Sequence, residues 1–144
     1  LYGEIPYKIA KEIPFFSKVQ QYIDKKWQEY KRNNFVVSDI YNRKIGKNIR
    51  FTNKSKLFNY CIQLLETENN MKVLDDLLPI LEGKKTKIVL YSYDSFLFDF
   101  HKEDGINFVK EIKQTIEQNK TYPVKVAWGK NYHKIQDITE KFND

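Results

Sequence analysis

At 144 residues, 41% hydrophobic and 15% aromatic, the chain has the size of one domain and enough apolar side chains for a core, which excludes an intrinsically disordered segment. No run approaches the roughly 18 apolar residues of a membrane span, and no signal-peptide pattern opens the chain. The single cysteine, Cys61, excludes an internal disulfide and a cysteine-rich zinc site and fits a reducing, intracellular setting.

The formal charge of +6 is uneven. Residues 1–60 hold 13 Lys/Arg against 5 Asp/Glu, a balance of +8, and residues 61–144 hold 12 against 14, a balance of −2. Leu1-Tyr2-Gly3 reads as the end of a helix with Gly3 as its positive-φ cap, so the chain is expected to be a fragment of a longer one. A short helix is expected over residues 6–12, closed before Pro14. From Pro14 to about Arg32, apolar residues at Phe16, Val19, Ile23, Trp27 and Tyr30 predict an amphipathic helix. Phe35-Val36-Val37 and Lys47 to Phe51 read as two short strands joined across Asp39 to Arg43.

Thr52 or Asn53 can cap a long helix that runs to about Leu81 and ends at Gly83. Its stripe of Leu57, Cys61, Leu64, Leu65, Leu74, Leu77, Leu78 and Leu81 calls for a sheet to cover. Lys87 to Phe100 is an apolar, β-branched and aromatic run interrupted by one acid, Asp94. Fourteen residues fold more simply as two strands with Tyr93-Asp94-Ser95 at the bend. A helix from about Glu103 to Gln118 is expected to bury Ile106, Val109, Ile112, Thr115 and Ile116, and Tyr122 to Trp128 reads as a last strand. The expected order is hairpin, helix, strand, with the hairpin and the last strand in one sheet and the long helix against it.

Three groups of residues carry chemistry. A carboxylate at the tip of a rigid hairpin is presented to solvent, as an oxygen ligand for a hard cation must be, and Asp94 reads either so or as a plain turn aspartate. Arg43, Lys44, Lys47, Arg50, Lys54 and Lys56 fall within fourteen residues with no acid between them, the pattern of a phosphate-tracking surface or of a solvated basic face. Asn59 and Gln63 are neighbours on one helix face, extended by Thr67, and are either minor-groove readers or ordinary surface amides.

In this order the pieces resemble the C-terminal part of the family A, DNA polymerase I-like, DNA polymerases. The resemblance runs through Asn59-Tyr60-Cys61-Ile62-Gln63, Val89 to Ser95, His101 to Gly105, and Val126-Ala127-Trp128-Gly129. Leu1-Tyr2-Gly3 is similar to the end of that family's fingers helix, and Asn42-Arg43-Lys44 to its Gly-Arg-Arg turn. It implies an α+β fold, an antiparallel palm-type sheet with a metal-aspartate hairpin backed by long helices. Residues 1–33 would be the end of the fingers and the following helices, and residues 34–144 the palm.

The resemblance further implies template-directed nucleotidyl transfer to a primer 3′-hydroxyl. Asp94 would be catalytic, a ligand to two Mg²⁺ ions shared with an upstream aspartate outside the chain. Asn59, Gln63, Arg43 and Tyr93 would contact primer–template DNA, and Tyr2 and Gly3 the deoxynucleoside triphosphate. The family's His-Asp-Glu reads here Tyr93-Asp94-Ser95, so Ser95 brings no charge to that position. These departures and the Lys/Asn-rich composition resemble a phage or viral branch, with a location in the cytoplasm of a host cell, no membrane and no secretion. The implied partners are DNA, nucleotides and the missing N-terminal part, without which the piece would be inactive. A non-catalytic nucleic-acid-binding module using the basic 43–56 surface is the rival reading, and a structural domain without a ligand is a third.

Overall fold

The computed structural model describes residues 14–46, 50–51, 53–118 and 120–142. The fold is α+β, with three α-helices among the described residues and three separate two-stranded antiparallel sheets. The chain divides between Glu68 and Asn69 into two compact units, and the division falls inside its longest helix. No helix among the described residues is long and apolar enough to cross a membrane.

Among the described residues, the first element of the first unit is α1 (Pro14–Asn33). Pro14 suits the first turn, where a backbone N–H has no intrahelical partner. Lys31 and Arg32 in the last turn offset the carbonyl end of the helix dipole. Asn34, at φ 61°, closes the helix by donating its N–H to the Tyr30 carbonyl at 2.8 Å. Strands β1 (Val36–Val37) and β2 (Lys44–Ile45) then pair Val36 with Ile45. The loop between them is pinned shut. Ser38 donates its N–H to the Arg43 carbonyl at 2.9 Å and accepts the Arg43 N–H on its Oγ at 2.8 Å.

That closure displaces the second strand from its expected position. It lies at Lys44–Ile45, while Arg50 and Phe51 are not in a strand and residues 47–49 lie outside those described. Asn42 at φ 55° turns the chain back early. Phe51 instead enters the core, and its N–H donates to the Tyr30 hydroxyl at 3.1 Å. The core joins Val36, Ile45 and Phe51 to Leu57 and Cys61, with Trp27, Tyr30 and Leu64 packed on it. A polar cluster is built in beside it. Buried Lys26 donates to the Val37 carbonyl at 2.6 Å and to Asp39 Oδ1 at 2.8 Å, and the Tyr22 hydroxyl donates to Asp39 Oδ2 at 2.5 Å.

Helix α2 (Lys54–Leu81) starts where Asn53 Oδ1 accepts the Lys56 N–H at 2.9 Å and ends before Gly83, at φ 75°. The expected leucine stripe is only partly used. Leu57, Cys61 and Leu77 are buried, whereas Leu65 and Leu78 are exposed. The buried positions Leu57, Cys61 and Glu68 keep helical spacing, but the step of five from Glu68 to Val73 breaks it, and one core gives way to another there.

In the second unit, β3 (Lys87–Ser92) and β4 (Ser95–Asp99) form the expected hairpin, with Ser92 opposite Ser95 and Tyr93-Asp94 as the turn. Ile88, Phe96 and Phe98 lie against the core of Val73, Leu77, Phe108 and Ile112. Asp104 secures the entry to β3. Its Oδ2 accepts both the N–H and the hydroxyl of buried Thr86 at 2.6 Å, and these bonds, the hydroxyl's foremost, hold its carboxyl below the usual range.

Helix α3 (Ile106–Glu117) begins later than expected because Gly105, at φ 79°, separates it from a short 3₁₀ turn at Lys102–Asp104. Its buried face is therefore different. Phe108 and Ile112 anchor it, Ile106 is exposed, and Lys113 and Glu117 form a buried pair at 2.7 Å that also takes the Val124 N–H. The expected last strand shrinks to β5 (Ala127–Trp128), which pairs with β6 (Gln136–Asp137). It does not join the hairpin in one sheet. The polar groups of Val126 are taken by its own C-terminal neighbours: its N–H by Thr139 Oγ1 at 2.8 Å, and its carbonyl by the Ile138 N–H at 2.8 Å. A Cβ on Gly129 would lie 2.2 Å from the Lys134 carbonyl oxygen, so the backbone approach at this turn demands glycine.

Candidate functional site

The hairpin tip is an exposed feature of the second unit held by side-chain hydrogen bonds. Tyr93 sits at φ 53° with 88% of its surface exposed. For a non-glycine residue the left-handed region costs about 1–2 kcal/mol, and the ring recovers little of that by burial. The compensation comes from Asn70 on α2, whose Nδ2 donates to the Tyr93 carbonyl at 3.1 Å and to the Tyr91 hydroxyl at 3.2 Å. Both amide hydrogens are thereby used on the hairpin. Asn69 beside it accepts from Gln118 Nε2 of the segment ending α3, at 3.0 Å.

Asp94 follows directly. It is exposed, and its carboxylate makes no hydrogen bond or ion pair with another described residue. Ser95 Oγ donates to the Ser92 carbonyl at 2.9 Å, closing the turn, and retains its lone pairs. Asp94 thus fits a hard cation as one oxygen ligand on a rigid support. Among the described residues no group of three His, Cys, Asp or Glu side chains gathers to complete such a site.

In the first unit, Arg43 is exposed at the end of the pinned 38–43 loop and makes no salt bridge with a described residue. Glu68 supports that loop from α2. Its Oε2 accepts the Tyr41 N–H at 3.2 Å, while Oε1, on a residue that is 1% exposed, has no hydrogen-bond partner among the described residues. The other cations of the basic stretch differ from one another. Lys44 lies over the Phe35 ring at 5.0 Å, and Lys54 pairs with Asp24 Oδ1 at 2.6 Å. The expectation of a stretch free of acids holds in sequence but not in space, since α1 brings Asp24 to it. Lys47 lies outside the described residues. Arg50 joins Tyr30, Lys31, Asn34 and Phe51 around an open cleft of about 420 Å³.

Asn59 is half-buried and Gln63 exposed, and neither carboxamide bonds another described residue. Thr67 drops out of their row because its hydroxyl donates to the Gln63 carbonyl of its own helix at 2.9 Å. Tyr2 and Gly3 lie outside the described residues. Asp94, Tyr93 and Ser95 therefore share one hairpin, and Arg43, Asn59 and Gln63 belong to the first unit. Sequence reasoning missed Asn70. Its signal was present, since two consecutive asparagines mid-helix are poor helix formers.

Comparison with protein-family models, with curated proteins and with solved structures yields no match to this chain.

Proposed function

We propose that the chain is the palm-side C-terminal portion of a DNA-directed DNA polymerase of the polymerase I-like type. The observation that carries the reading is an exposed carboxylate, unpaired among the described residues, on a two-residue turn held from outside by a helix side chain. Asp94 would hold the metal together with an aspartate from a part of the polymerase outside these 144 residues, and the hairpin would belong to a palm-type sheet. When bound, Mg²⁺ would supply Lewis-acid stabilisation of the transferring phosphoryl group and lower the pKa of the attacking hydroxyl.

The residues of this chain bind and orient. Asp94 presents negative charge where the cation is required. Arg43 contacts a backbone phosphate, which sets register without reading sequence. Asn59 and Gln63, whose carboxamides bond no other described residue, serve the minor groove, where every base pair offers an acceptor. Tyr93 extends its hydroxyl toward the primer terminus, and Tyr2 and Gly3 border the incoming nucleotide. The partners are primer–template DNA and deoxynucleoside triphosphates, and the location is the cytoplasm, that of a host cell for a phage enzyme.

The test is Asp94→Asn in the intact polymerase, with single-turnover nucleotide addition measured beside equilibrium DNA binding. Removing the charge at constant shape should slow incorporation on the order of a hundredfold or more and leave primer–template affinity nearly unchanged. Ser95→Ala should cost much less. Near-normal incorporation by Asp94→Asn would refute the metal role. The exposed Arg43, without a salt bridge to a described residue, would then favour a non-catalytic nucleic-acid-binding module.

A further inference from the structure

We propose that Asn70 is a positioning residue for Asp94, acting through the backbone of the hairpin turn. The inference rests on the reading of Asp94 as a metal ligand and names the residue that aims it. The Tyr93 carbonyl and the Asp94 N–H belong to one planar peptide unit. A donor fixed on that carbonyl restrains two rotations at once, ψ of Tyr93 and φ of Asp94, and with them the direction of the Asp94 Cα–Cβ bond from which the carboxylate extends. Asn70 Nδ2 is that donor, at 3.1 Å. Its second hydrogen goes to the Tyr91 hydroxyl at 3.2 Å, on the strand leading into the turn. The amide therefore spans the last part of β3 and the turn itself.

The turn needs such a clamp. Tyr93 holds φ 53°, where an L side chain is disfavoured, and with 88% of its surface exposed it has little packing to keep it there. Ser95 Oγ closes the far side of the turn on the Ser92 carbonyl, and this leaves the Tyr93–Asp94 peptide as the part fixed from α2. Asn70 itself is steadied by its place in the middle of α2, next to Asn69, which is bonded to Gln118. The donors face the hairpin, so an acceptor-only replacement of the same shape should be as harmful as truncation.

The experiment uses the intact polymerase with Asn70→Ala, Asn70→Asp and Asp94→Asn. Two quantities are read: half-saturating Mg²⁺ in single-turnover addition, and Mn²⁺ bound to the enzyme–DNA complex, titrated by electron paramagnetic resonance. Both Asn70 variants should need roughly fivefold more Mg²⁺ and bind Mn²⁺ correspondingly more weakly, the weight of the lost bond to the Tyr93 carbonyl. Excess cation should restore most of the rate, and primer–template affinity should not change. Hydrogen exchange should quicken in residues 87–99 and stay slow in α3.

Wild-type cation dependence in both Asn70 variants, with Asp94→Asn defective, would overturn the positioning role and leave the metal role standing. A defect that excess cation cannot rescue, with exchange quickened throughout the second unit, would show a merely structural asparagine and also overturn the proposal. Near-normal activity of Asp94→Asn would remove both claims together.

Discussion

Replacing Lys26 by Met tests whether a buried cation holds the first unit together. The Lys26 side chain is 8% exposed and donates to the Val37 carbonyl and to Asp39. Hydrogen bonds from a charged group contribute about 1.5–3 kcal/mol each, so the gross loss is about 3–6 kcal/mol. Two effects reduce it. Met keeps the apolar stem and spares the ammonium its desolvation, which costs several kcal/mol. The Asp39 side chain is 42% exposed and keeps the Tyr22 hydroxyl, so water can replace part of what it loses.

The net expectation is a destabilisation of about 2 kcal/mol. With a urea m-value of about 2 kcal/mol/M, the midpoint should fall by about 1 M. Trp27 fluorescence in a Trp128→Phe background reports the first unit alone, since these are the two tryptophans. Burial raises the Asp39 carboxyl, but the Lys26 and Tyr22 hydrogen bonds and the charges of Lys26 and Lys25 outweigh it and leave it lowered. A lowered carboxyl contributes stability that is complete above its unfolded value of about 3.9 and is lost as pH falls through the folded one. The difference between wild type and Lys26→Met should therefore shrink as pH falls below the unfolded value of about 3.9. A Lys26→Met chain as stable as wild type at pH 7 would refute the reasoning and show that desolvation outweighs the ammonium's bonds.

Phe108→Ala, at a site 2% exposed in the second core, should cost about 3–5 kcal/mol, read from Trp128 fluorescence during urea unfolding. Gly129→Ala should destabilise the β5–β6 turn by about 1–3 kcal/mol, because its Cβ meets the Lys134 carbonyl oxygen; hydrogen exchange in residues 126–139 checks this. Tyr93→Asn should stabilise the chain by about 0.5–1 kcal/mol, since Asn tolerates positive φ better, and an unchanged melting midpoint would count against strain at the turn. On the proposed polymerase reading, Arg43→Ala in the full-length protein should reduce the slope of log DNA affinity against log salt by roughly one unit. Lys54→Ala should change it less, because Asp24 already neutralises that cation.

The elements that were legible in the sequence are those whose ends are fixed by local chemistry. Pro14, Asn53 and Gly83 mark helix boundaries because each answers a backbone requirement of a helix end. The hairpin over residues 87–99 was legible because β-branched and aromatic residues flank a single acid. What escaped depends on contacts distant in sequence or on very short pairings. The position of β2 follows from the Ser38–Arg43 closure, and the separateness of β5 from the satisfaction of Val126 by Ile138 and Thr139. Burial of Lys113 with Glu117, and of Glu68, runs against polarity and cannot be read from a hydrophobic stripe.

For the candidate site, the sequence supplied the residue types but not the supports. Asp94 stood out because an acid interrupts an apolar run, and Arg43 because no acid falls among the cations from it to Lys56. The structure adds a conflict between local and tertiary preference at Tyr93. A left-handed turn position favours Gly, Asn or Asp, yet it carries an aromatic ring that is almost wholly exposed and does little for either core. Foldability alone gives no reason for a tyrosine there, and a departure from local consistency is where function is expected. The hydrogen bond from Asn70 makes the conformation tolerable, and the same bond fixes the peptide that leads into Asp94. Strain, clamp and carboxylate thus fall within one turn, which a packing role would not require and a metal ligand held in a fixed direction would.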